Sequence, residues 1–346
     1  MRIGVDIASG ERDPWYLVKG AVEGALMHPQ AEIIMIGDKK QLAILLDDVC
    51  QKIERPSNIS IMHADNIITM NDEPLSAVRT KPNSSVVVGL TAYKNGELDA
   101  FFSPGNTGAI VTGAALILKR APGIKKPALA TFLTKGIGGH TSMLLDVGAS
   151  SETTPEDLVK FALMGQIYYE LMMNVPAPIV GLLNTGEEEY KGSKLARDTY
   201  KKMKQTRFLN FKGNIEGKEL FKGKAHVIVC DGFVGNITLK VIEGTASGFS
   251  TMLKNAFRNS FITLFGALLA KPAFQRVKDA LDPEIFGGAP LLGVKGIVLI
   301  GHGSSGSLAF KNAIDACVRT IENNVIQEIN NKLEKNQTWL ESISRN

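Results

Sequence analysis

Short apolar segments alternate with helical patterns through most of this 346-residue chain. Residues 3–7 are apolar enough for a buried strand, and Pro14 is well placed to begin a helix that ends near Met27. The same apolar character predicts further strands at residues 33–36, 59–62, 100–102, 128–133, 143–147, 179–183, 227–230 and 297–300. This alternation predicts an α/β fold, with a mainly parallel sheet and helices on both faces. Because no repeat or low-complexity linker interrupts it, we expect one domain over residues 1–335 and a C-terminal tail over 336–346.

The composition excludes several classes of protein. A formal net charge of +4 is too small to indicate a nucleic-acid partner. Cys50, Cys230 and Cys317 lie far apart without metal-ligand spacing, so we expect reduced thiols in the cytoplasm and no metal. The N-terminus has the pattern of a strand rather than of a signal peptide, and no window holds the ~20 apolar residues of a membrane span. Residues 301–306 fit G-x-G-x-x-G, but no strand ending in an acidic residue follows, so we expect no nicotinamide and no other cofactor.

Residues 99–120 have the pattern of a buried strand, a tight glycine loop and a helix. The loop contains Gly105, Asn106, Thr107 and Gly108. Such a loop directs free backbone N–H groups and the positive end of a helix at one point, which favours phosphate. In the alternative interpretation the glycines are ordinary turn residues and Asn106 is a helix cap.

Several other polar loops follow predicted strands. They cover residues 8–13, 146–149, 184–192, 231–236 and 301–306. Ligands of parallel α/β sheets bind at the carboxyl ends of the strands. We therefore expect these loops to converge at one edge of the sheet and to form a pocket for a small molecule.

The order and spacing of these segments resemble the bacterial phosphate acyltransferase family of phospholipid synthesis. The matching segments are residues 76–79, 105–109, 145–149, 161–165, 181–192, 213–217, 230–236, 287–293 and 302–305. The resemblance implies a Rossmann-like α/β/α sandwich that transfers a fatty acyl group from acyl carrier protein to inorganic phosphate, giving acyl phosphate. It also implies a homodimer, peripherally associated with the inner face of the membrane, whose product passes to a glycerol-phosphate acyltransferase. The chain departs from the family at residues 6–14, where Arg12 replaces a histidine, and at Pro104 and Gly306.

Three residues are candidates for catalysis. Lys191 follows a strand and is expected to hold phosphate or to stabilise an oxyanion. Asn236 is expected to donate to the thioester carbonyl, although asparagine at such a position is commonly a helix cap. His302 is a candidate general acid or phosphate ligand, although a lone histidine is more often structural.

Further residues are candidates for substrate binding, and each has a structural alternative. They are Asn184, Asp231, Arg79, Ser304 and Ser305, in addition to the loop of residues 105–108. Asp231 can orient a neighbour or cap a helix, and Arg79 with Lys81 can supply charge or form a solvated helix end. The glutamates at 187–189 are expected to orient Lys191 or to begin the next helix. Cys230 ends an apolar run and is expected to be a buried thiol rather than a nucleophile.

Two helical stretches offer surfaces for partners. Residues 248–278 combine a Phe and Leu stripe with basic residues and hardly any acid, which is typical of a helix in a membrane interface. Its proposed membrane residues are Phe257, Phe261, Leu264, Phe265 and Leu268, within a helical segment at about 245–282 that protrudes from the sandwich; a dimer or core helix is the alternative. A basic helix face can dock acidic acyl carrier protein, although such faces are usually only solvated: Lys194, Arg197, Lys201 and Lys204.

Two other functions stay open at this stage. The first is a transferase that uses acetyl- or acyl-coenzyme A and phosphate, since it needs the same anion site. The second is a non-catalytic scaffold that recruits lipid enzymes to a membrane surface.

Overall fold

One mixed sheet of eleven strands runs through the part of the chain that the structure, a computed structural model, describes: residues 1–133, 140–257, 261–280 and 283–342. The strands are β1 (Arg2–Asp6), β2 (Glu32–Gly37), β3 (Ile59–His63), β4 (Ala100–Ser103), β5 (Ala128–Leu133), β6 (Ser142–Leu145), β7 (Val180–Asn184), β8 (Phe211–Glu216), β9 (Val227–Val229), β10 (Ala289–Leu292) and β11 (Val298–Ile300). Their order across the sheet is β3-β2-β1-β4-β11-β10-β5-β6-β9-β7-β8. The predicted α/β class with a mainly parallel sheet is confirmed, because seven of its ten strand pairings are parallel.

Helices connect the strands. They are α1 (Pro14–Met27), α2 (Lys39–Cys50), α3 (Pro74–Thr80), α4 (Ser85–Lys94), α5 (Thr107–Gly113), α6 (Pro155–Met173), α7 (Lys194–Gln205), α8 (Gly232–Phe257), α9 (Phe261–Ala280), α10 (Ser307–Glu322), α11 (Val325–Lys335) and α12 (Gln337–Ser342). A π-helical turn (Ala114–Leu118) extends α5. α1 has the predicted bounds because Asp13 caps it and Pro14 occupies its first turn. α12 lies in the segment expected to be a tail, and its Leu340 is buried.

The two halves of the sheet run in opposite directions. β3, β2, β1, β4 and β11 are mutually parallel, and so are β6, β9, β7 and β8. Three successive antiparallel pairings, β11 with β10, β10 with β5 and β5 with β6, separate the two halves. The carboxyl ends of β1, β4 and β11 therefore lie at one edge, and those of β6, β9 and β7 lie at the other.

The prediction that all the polar loops meet at one edge is consequently wrong. β10 was not predicted, because it is only four residues long and contains Pro290, and this strand takes part in two of the three reversals. β8 was not predicted either, because its Lys212, Gly213 and Asn214 suit the outermost strand of a sheet rather than an apolar interior one. The loops form two groups instead of one.

α8 and α9 cover the segment predicted to be a helical extension. Apart from Gly232 and Gly235, no described residue of α8 is buried, and no described side chain of α9 is buried. The rings of Phe257 and Phe274 pack edge to face at 5.3 Å and join the two helices. Among the described residues, no helix is both long and apolar enough to cross a bilayer.

Candidate functional site

The loop after β6 is built around the buried carboxylate of Asp146. Its Oδ1 accepts hydrogen bonds from the N–H groups of Leu129, Gly148 and Ala149 at 2.9, 3.0 and 2.9 Å, and its Oδ2 accepts one from Ser150 at 2.8 Å. Burial raises the pKa of Asp146 to about 6, and the four backbone donors act against that rise. The carboxylate therefore fixes the backbone of this loop.

The first turn of α8 packs directly against that loop. A Cβ on Gly235 would lie 1.8 Å from the carbonyl oxygen of Asp146, so only glycine permits this approach. Asp231 caps the helix, because its Oδ1 accepts from the N–H groups two and three residues further on at 3.1 and 2.9 Å. The structure thus favours the capping interpretation of Asp231 and gives α8 a fixed starting point.

Asn236 lies in the second turn of α8 and is not its cap. Its side chain faces the Asp146 loop: a Cβ on Gly148 would lie 3.2 Å from Asn236 Nδ2. At about 100° per residue, Asn236 points roughly 200° away from Val234 on the same helix. The side chains of Asn236 and Val234 therefore serve different surfaces of α8.

Lys191 lies in the loop between β7 and α7, as predicted. Asn184 holds this loop, because its Nδ2 donates to the carbonyl oxygen of Lys191 at 3.2 Å. The lysine side chain is exposed, and its Nζ lies 5.9 Å from the ring centroid of Tyr190. None of the ion pairs among the described residues includes Lys191. Its charge is therefore available to an anion.

The side chains of Glu187 and Glu189 do not orient Lys191. Glu187 pairs with Lys224 at 2.9 Å, and Glu189 pairs with Lys204. They also do not begin a helix, because α7 starts at Lys194. The expectation for these two residues is therefore wrong, because their carboxylates form ion pairs with lysines of other elements instead of contacting Lys191.

A pocket of about 320 Å³ opens beside the Lys191 loop. It lies between α6, α7, α8 and the carboxyl ends of β7 and β9. Its polar lining residues include Asn184, Thr185, Ser193 and Asp231, and most of the others are apolar. A polar rim over an apolar interior is typical of sites that hold small amphiphilic ligands.

The second group of loops lies at the other edge, around buried Asp6. The Asp6 carboxylate accepts from Ser103 Oγ at 2.6 Å and from the N–H groups of Ala8 and Ser9 at 3.0 and 3.2 Å. Burial raises the pKa of Asp6, and these hydrogen bonds oppose the rise. The first and last loops are joined here, because the N–H of Glu11 donates to the carbonyl oxygen of Gly303 at 2.9 Å.

The glycine loop of residues 105–108 belongs to this second group, and Asn106 is its most constrained residue. Asn106 Oδ1 accepts from the N–H of Ala109 at 3.0 Å and thereby caps α5. Its Nδ2 donates to the carbonyl oxygens of Thr69, Met70 and Asp72 at 3.2–3.3 Å. A contact between Asn106 and phosphate would require one of these bonds to break.

The other glycine-loop residues differ in their freedom. Gly105 donates its N–H to Ser103 Oγ at 3.1 Å, and a Cβ on Gly108 would lie 2.7 Å from Pro74. Thr107 is exposed at the first position of α5. Gly105 and Gly108 therefore serve close packing, whereas Thr107 faces solvent.

The remaining predicted residues of the second group are mostly exposed. Arg79 is exposed in the last turn of α3, whereas Lys81 pairs with Asp72 at 2.6 Å. His302 Nδ1 lies 2.7 Å from Ser304 Oγ and accepts from the N–H of Ser304 at 3.2 Å. Ser305 is buried. No hydrogen bond or ion pair between described residues connects this group with Lys191, and the two groups follow strands that run in opposite directions.

Comparison with known proteins settles the family. The family model described as fatty acid synthesis protein matches residues 1–328. A phosphate acyltransferase of Dictyoglomus turgidum is 41% identical over 345 residues, covering 100% of this chain and 98% of the relative. The phosphate acyltransferase of Halothermothrix orenii is 40% identical over 337 residues, covering 97% and 99%. The chain belongs to the phosphate acyltransferase family. The predicted resemblance is confirmed, and this phosphate acyltransferase is an enzyme that transfers an acyl group to phosphate.

Solved structures extend the likeness at the level of the fold. A phosphotransacetylase of Streptococcus pyogenes aligns with a TM-score of 0.57 at 17% identity, covering 93% of this chain and 94% of the other. A phosphotransacetylase of Staphylococcus aureus aligns with a TM-score of 0.55 at 16% identity, covering 92% and 94%. Membership in a family of enzymes goes against the scaffold alternative.

The residues that brace the loops of this phosphate acyltransferase were not predicted. Asp6 is the last residue of β1, Asp146 directly follows β6, and Asn214 Nδ2 donates to the carbonyl oxygens of Glu187 and Glu188 at 3.4 and 3.0 Å. The sequence contained a signal for both residues, because Asp6 and Asp146 each directly follow an apolar run. Their role was not predictable, since burial of a carboxylate under backbone N–H groups depends on the loop conformation.

Proposed function

We propose that this enzyme transfers a fatty acyl group from acyl carrier protein to inorganic phosphate and releases acyl phosphate. The observation that carries the proposal is an unpaired lysine, Lys191, on the loop that forms the rim of an apolar pocket. An anion and an acyl chain can thus be held side by side. Lys191 would bind phosphate and stabilise the developing oxyanion, and Asn184 would hold the loop in place.

The reaction needs no acylated side chain. A phosphate oxygen attacks the thioester carbonyl carbon, the carbon–sulfur bond breaks, and the thiolate of the carrier leaves and takes up a proton. Cys230 is unsuited to be a nucleophile, because it is buried and burial raises the pKa of its thiol well above the usual range. Its Sγ donates to the carbonyl oxygen of Asp146 at 3.4 Å.

The remaining predicted site residues differ in how close they lie to the pocket. Asn236 lies on α8 and faces the Asp146 loop, away from the pocket, so we do not assign it to a thioester carbonyl held beside the Lys191 loop. The second group stays a proposed substrate-binding surface, in which Arg79, Thr107 and His302 are exposed. The second group lies at the opposite edge of the sheet from the pocket. We therefore assign the reacting phosphate to Lys191, which lies beside the pocket.

We also propose that the enzyme works as a cytoplasmic homodimer bound peripherally to the inner face of the membrane. Leu264, Phe265 and Leu268 are 53%, 63% and 65% exposed on α9, and Lys254 and Lys271 are exposed nearby. This combination suits an anionic lipid surface. Phe257 is half-buried, and the side chain of Phe261 lies outside the described residues, as do Arg258 and the side chains of Arg276 and Lys278.

Two protein partners follow from this chemistry. Acyl carrier protein is acidic, and Lys194 and Lys201 on α7 are exposed, whereas Lys204 pairs with Glu189 and Arg197 donates to the carbonyl oxygen of Gly192. A glycerol-phosphate acyltransferase would consume the acyl phosphate. Release at the membrane surface would shorten the path of this reactive amphiphile.

The direct test is to incubate the enzyme with acyl carrier protein thioester and labelled phosphate. We expect labelled acyl phosphate that depends on both substrates. The matched reaction uses the coenzyme A thioester of the same fatty acid. Acyl phosphate from the coenzyme A donor alone would overturn the proposal in favour of a coenzyme A:phosphate acyltransferase.

A further inference from the structure

Apolar side chains make up most of the lining of the pocket beside the Lys191 loop. Leu158 of α6 and Leu182 of β7 are its most deeply buried leucines, at 2% and 1% exposure. Ala196 of α7 and Thr238 of α8 line it from two different helices and are half-buried. Asn184 is polar and lies on the side of the Lys191 loop. The pocket therefore offers a polar entrance and an apolar interior.

The size of the pocket limits what can fill it. One water occupies about 30 Å³ of liquid, and a methylene is of similar size, so 320 Å³ takes on the order of ten such groups. Among the lining residues only Asp231 is charged, and its Oδ1 is already bound by two N–H groups of α8. An unbranched hydrocarbon chain suits this shape better than a phosphate or a sugar.

We infer that this pocket binds the first carbons of the acyl chain, about ten of them, and that Ala196 and Thr238 set the preferred chain length. The inference rests on the proposed function, because it places the thioester carbonyl at the entrance beside Asn184 and Lys191. Phosphate bound at Lys191 then lies next to the carbonyl carbon, and the chain runs inward between α7 and α8.

A longer chain has a continuous path out of the pocket. Val234, Thr238 and Val241 lie on one stripe of α8 at helical spacing. Val234 and Val241 are 40% and 60% exposed, and Val234 and Thr238 line the pocket. Carbons beyond the capacity of the pocket would follow this stripe along α8, in the direction of the exposed α8–α9 hairpin.

The test narrows the pocket and compares donors of different length. Ala196→Leu adds three carbons from the α7 wall, and Thr238→Leu narrows the pocket independently from the α8 wall. Ala43→Leu makes the first change at an exposed position of α2, far from the pocket, and serves as the control. Acyl phosphate formation is measured with hexanoyl, decanoyl and hexadecanoyl carrier protein, and circular dichroism confirms that each variant is folded.

We expect Ala196→Leu to lower kcat/KM for the hexadecanoyl donor relative to the hexanoyl donor by at least about tenfold, because each methylene kept out of an apolar pocket loses roughly fourfold in binding. Thr238→Leu should shift the ratio in the same direction, and Ala43→Leu should leave it unchanged. An equal loss with all three donors would place the carrier's pantetheine arm in the pocket and overturn the inference. An unchanged ratio in two folded variants would overturn it as well. If the unmodified enzyme makes no acyl phosphate from any donor, the proposed function itself fails.

Discussion

Lys191 has few constraints on its charged end, although its backbone is held firmly. Asn184 binds its carbonyl oxygen, its own N–H donates to the carbonyl oxygen of Glu188 at 3.1 Å, and the side chain crosses Gly186 toward solvent. A fixed backbone with an unpaired ammonium group is suited to receive an anion without first breaking an ion pair. The neighbouring Lys224, in contrast, is bound by Glu187 and Glu219.

We therefore expect Lys191→Ala to lower turnover by at least ~10²-fold while the fold stays intact, because an oxyanion or phosphate contact is lost. Steady-state kinetics with varied phosphate and a thermal melt measure both effects. Lys40→Ala, an exposed lysine of α2, is the matched control. Turnover and phosphate dependence close to those of the unmodified enzyme would remove Lys191 from the site.

Asp146 gives the stability a predictable pH dependence. Burial raises its pKa to about 6 in the folded enzyme, whereas the unfolded chain releases this proton near the usual value of 3.8. The folded state thus binds the proton more tightly, so this contribution favours folding at low pH and is lost as the pH rises from about 4 to 6. The shift of about two pKa units corresponds to roughly 3 kcal/mol in the free energy of unfolding.

The measurement is urea unfolding at several pH values between 4 and 7 for the enzyme and for Asp146→Asn, which cannot titrate at this position. We expect the free energy of unfolding of the enzyme, measured relative to that of Asp146→Asn, to fall as the pH rises from about 4 to 6. A difference that is independent of pH would show that Asp146 has the same proton affinity in both states.

The described part of the α8–α9 hairpin exposes many large apolar side chains, and it can be tested separately from the Lys191 group. Replacing Leu264 and Leu268 by glutamate removes two apolar contacts and adds charge opposed to anionic lipid. We expect binding to anionic vesicles to fall by at least about thirtyfold. Turnover with soluble acyl carrier protein thioester should be preserved. Leu264 and Leu268 are far from Lys191 in the sequence, and neither of them lines the pocket.

Ile44→Glu, at an exposed apolar position of α2, controls for the change of charge. Sedimentation of the protein with vesicles and analytical ultracentrifugation without them separate the two interpretations of the hairpin. Loss of a dimer in the double variant, with vesicle binding retained, would identify the hairpin as an interface between subunits.

For the molecule as a whole, the local elements were more predictable than their arrangement. Apolar runs and caps gave α1 and β5 their predicted bounds, because burial and capping are encoded in neighbouring residues. The opposed directions of the two halves depend on β10, a four-residue strand that pairs with nearby β11 and with β5, which is far away in sequence. The position of Lys191 in the loop after β7 was predictable from the sequence, whereas the pairing of Glu189 with Lys204 depends on how α7 packs.

Direct attack by phosphate makes a prediction about the intact protein. Without phosphate, incubation with acyl carrier protein thioester should leave the mass of the enzyme unchanged, because the buried thiol of Cys230 is held in its protonated form. Intact-protein mass spectrometry measures this, with addition of phosphate as the positive control for acyl transfer. A stable acyl adduct on Cys230 would replace direct attack by a two-step mechanism.

The reversal of strand direction at the centre of the sheet also affects how the sequence can vary. Substitutions at sites that share no contact usually combine additively. The first loop, where Arg12 donates to the carbonyl oxygen of Ser304, makes no described hydrogen bond or ion pair to the Lys191 loop. The unusual residues around Arg12 can therefore have accumulated without a compensating change around Lys191. We therefore expect substitutions around Arg12 and around Lys191 to combine additively in their effects on stability and turnover.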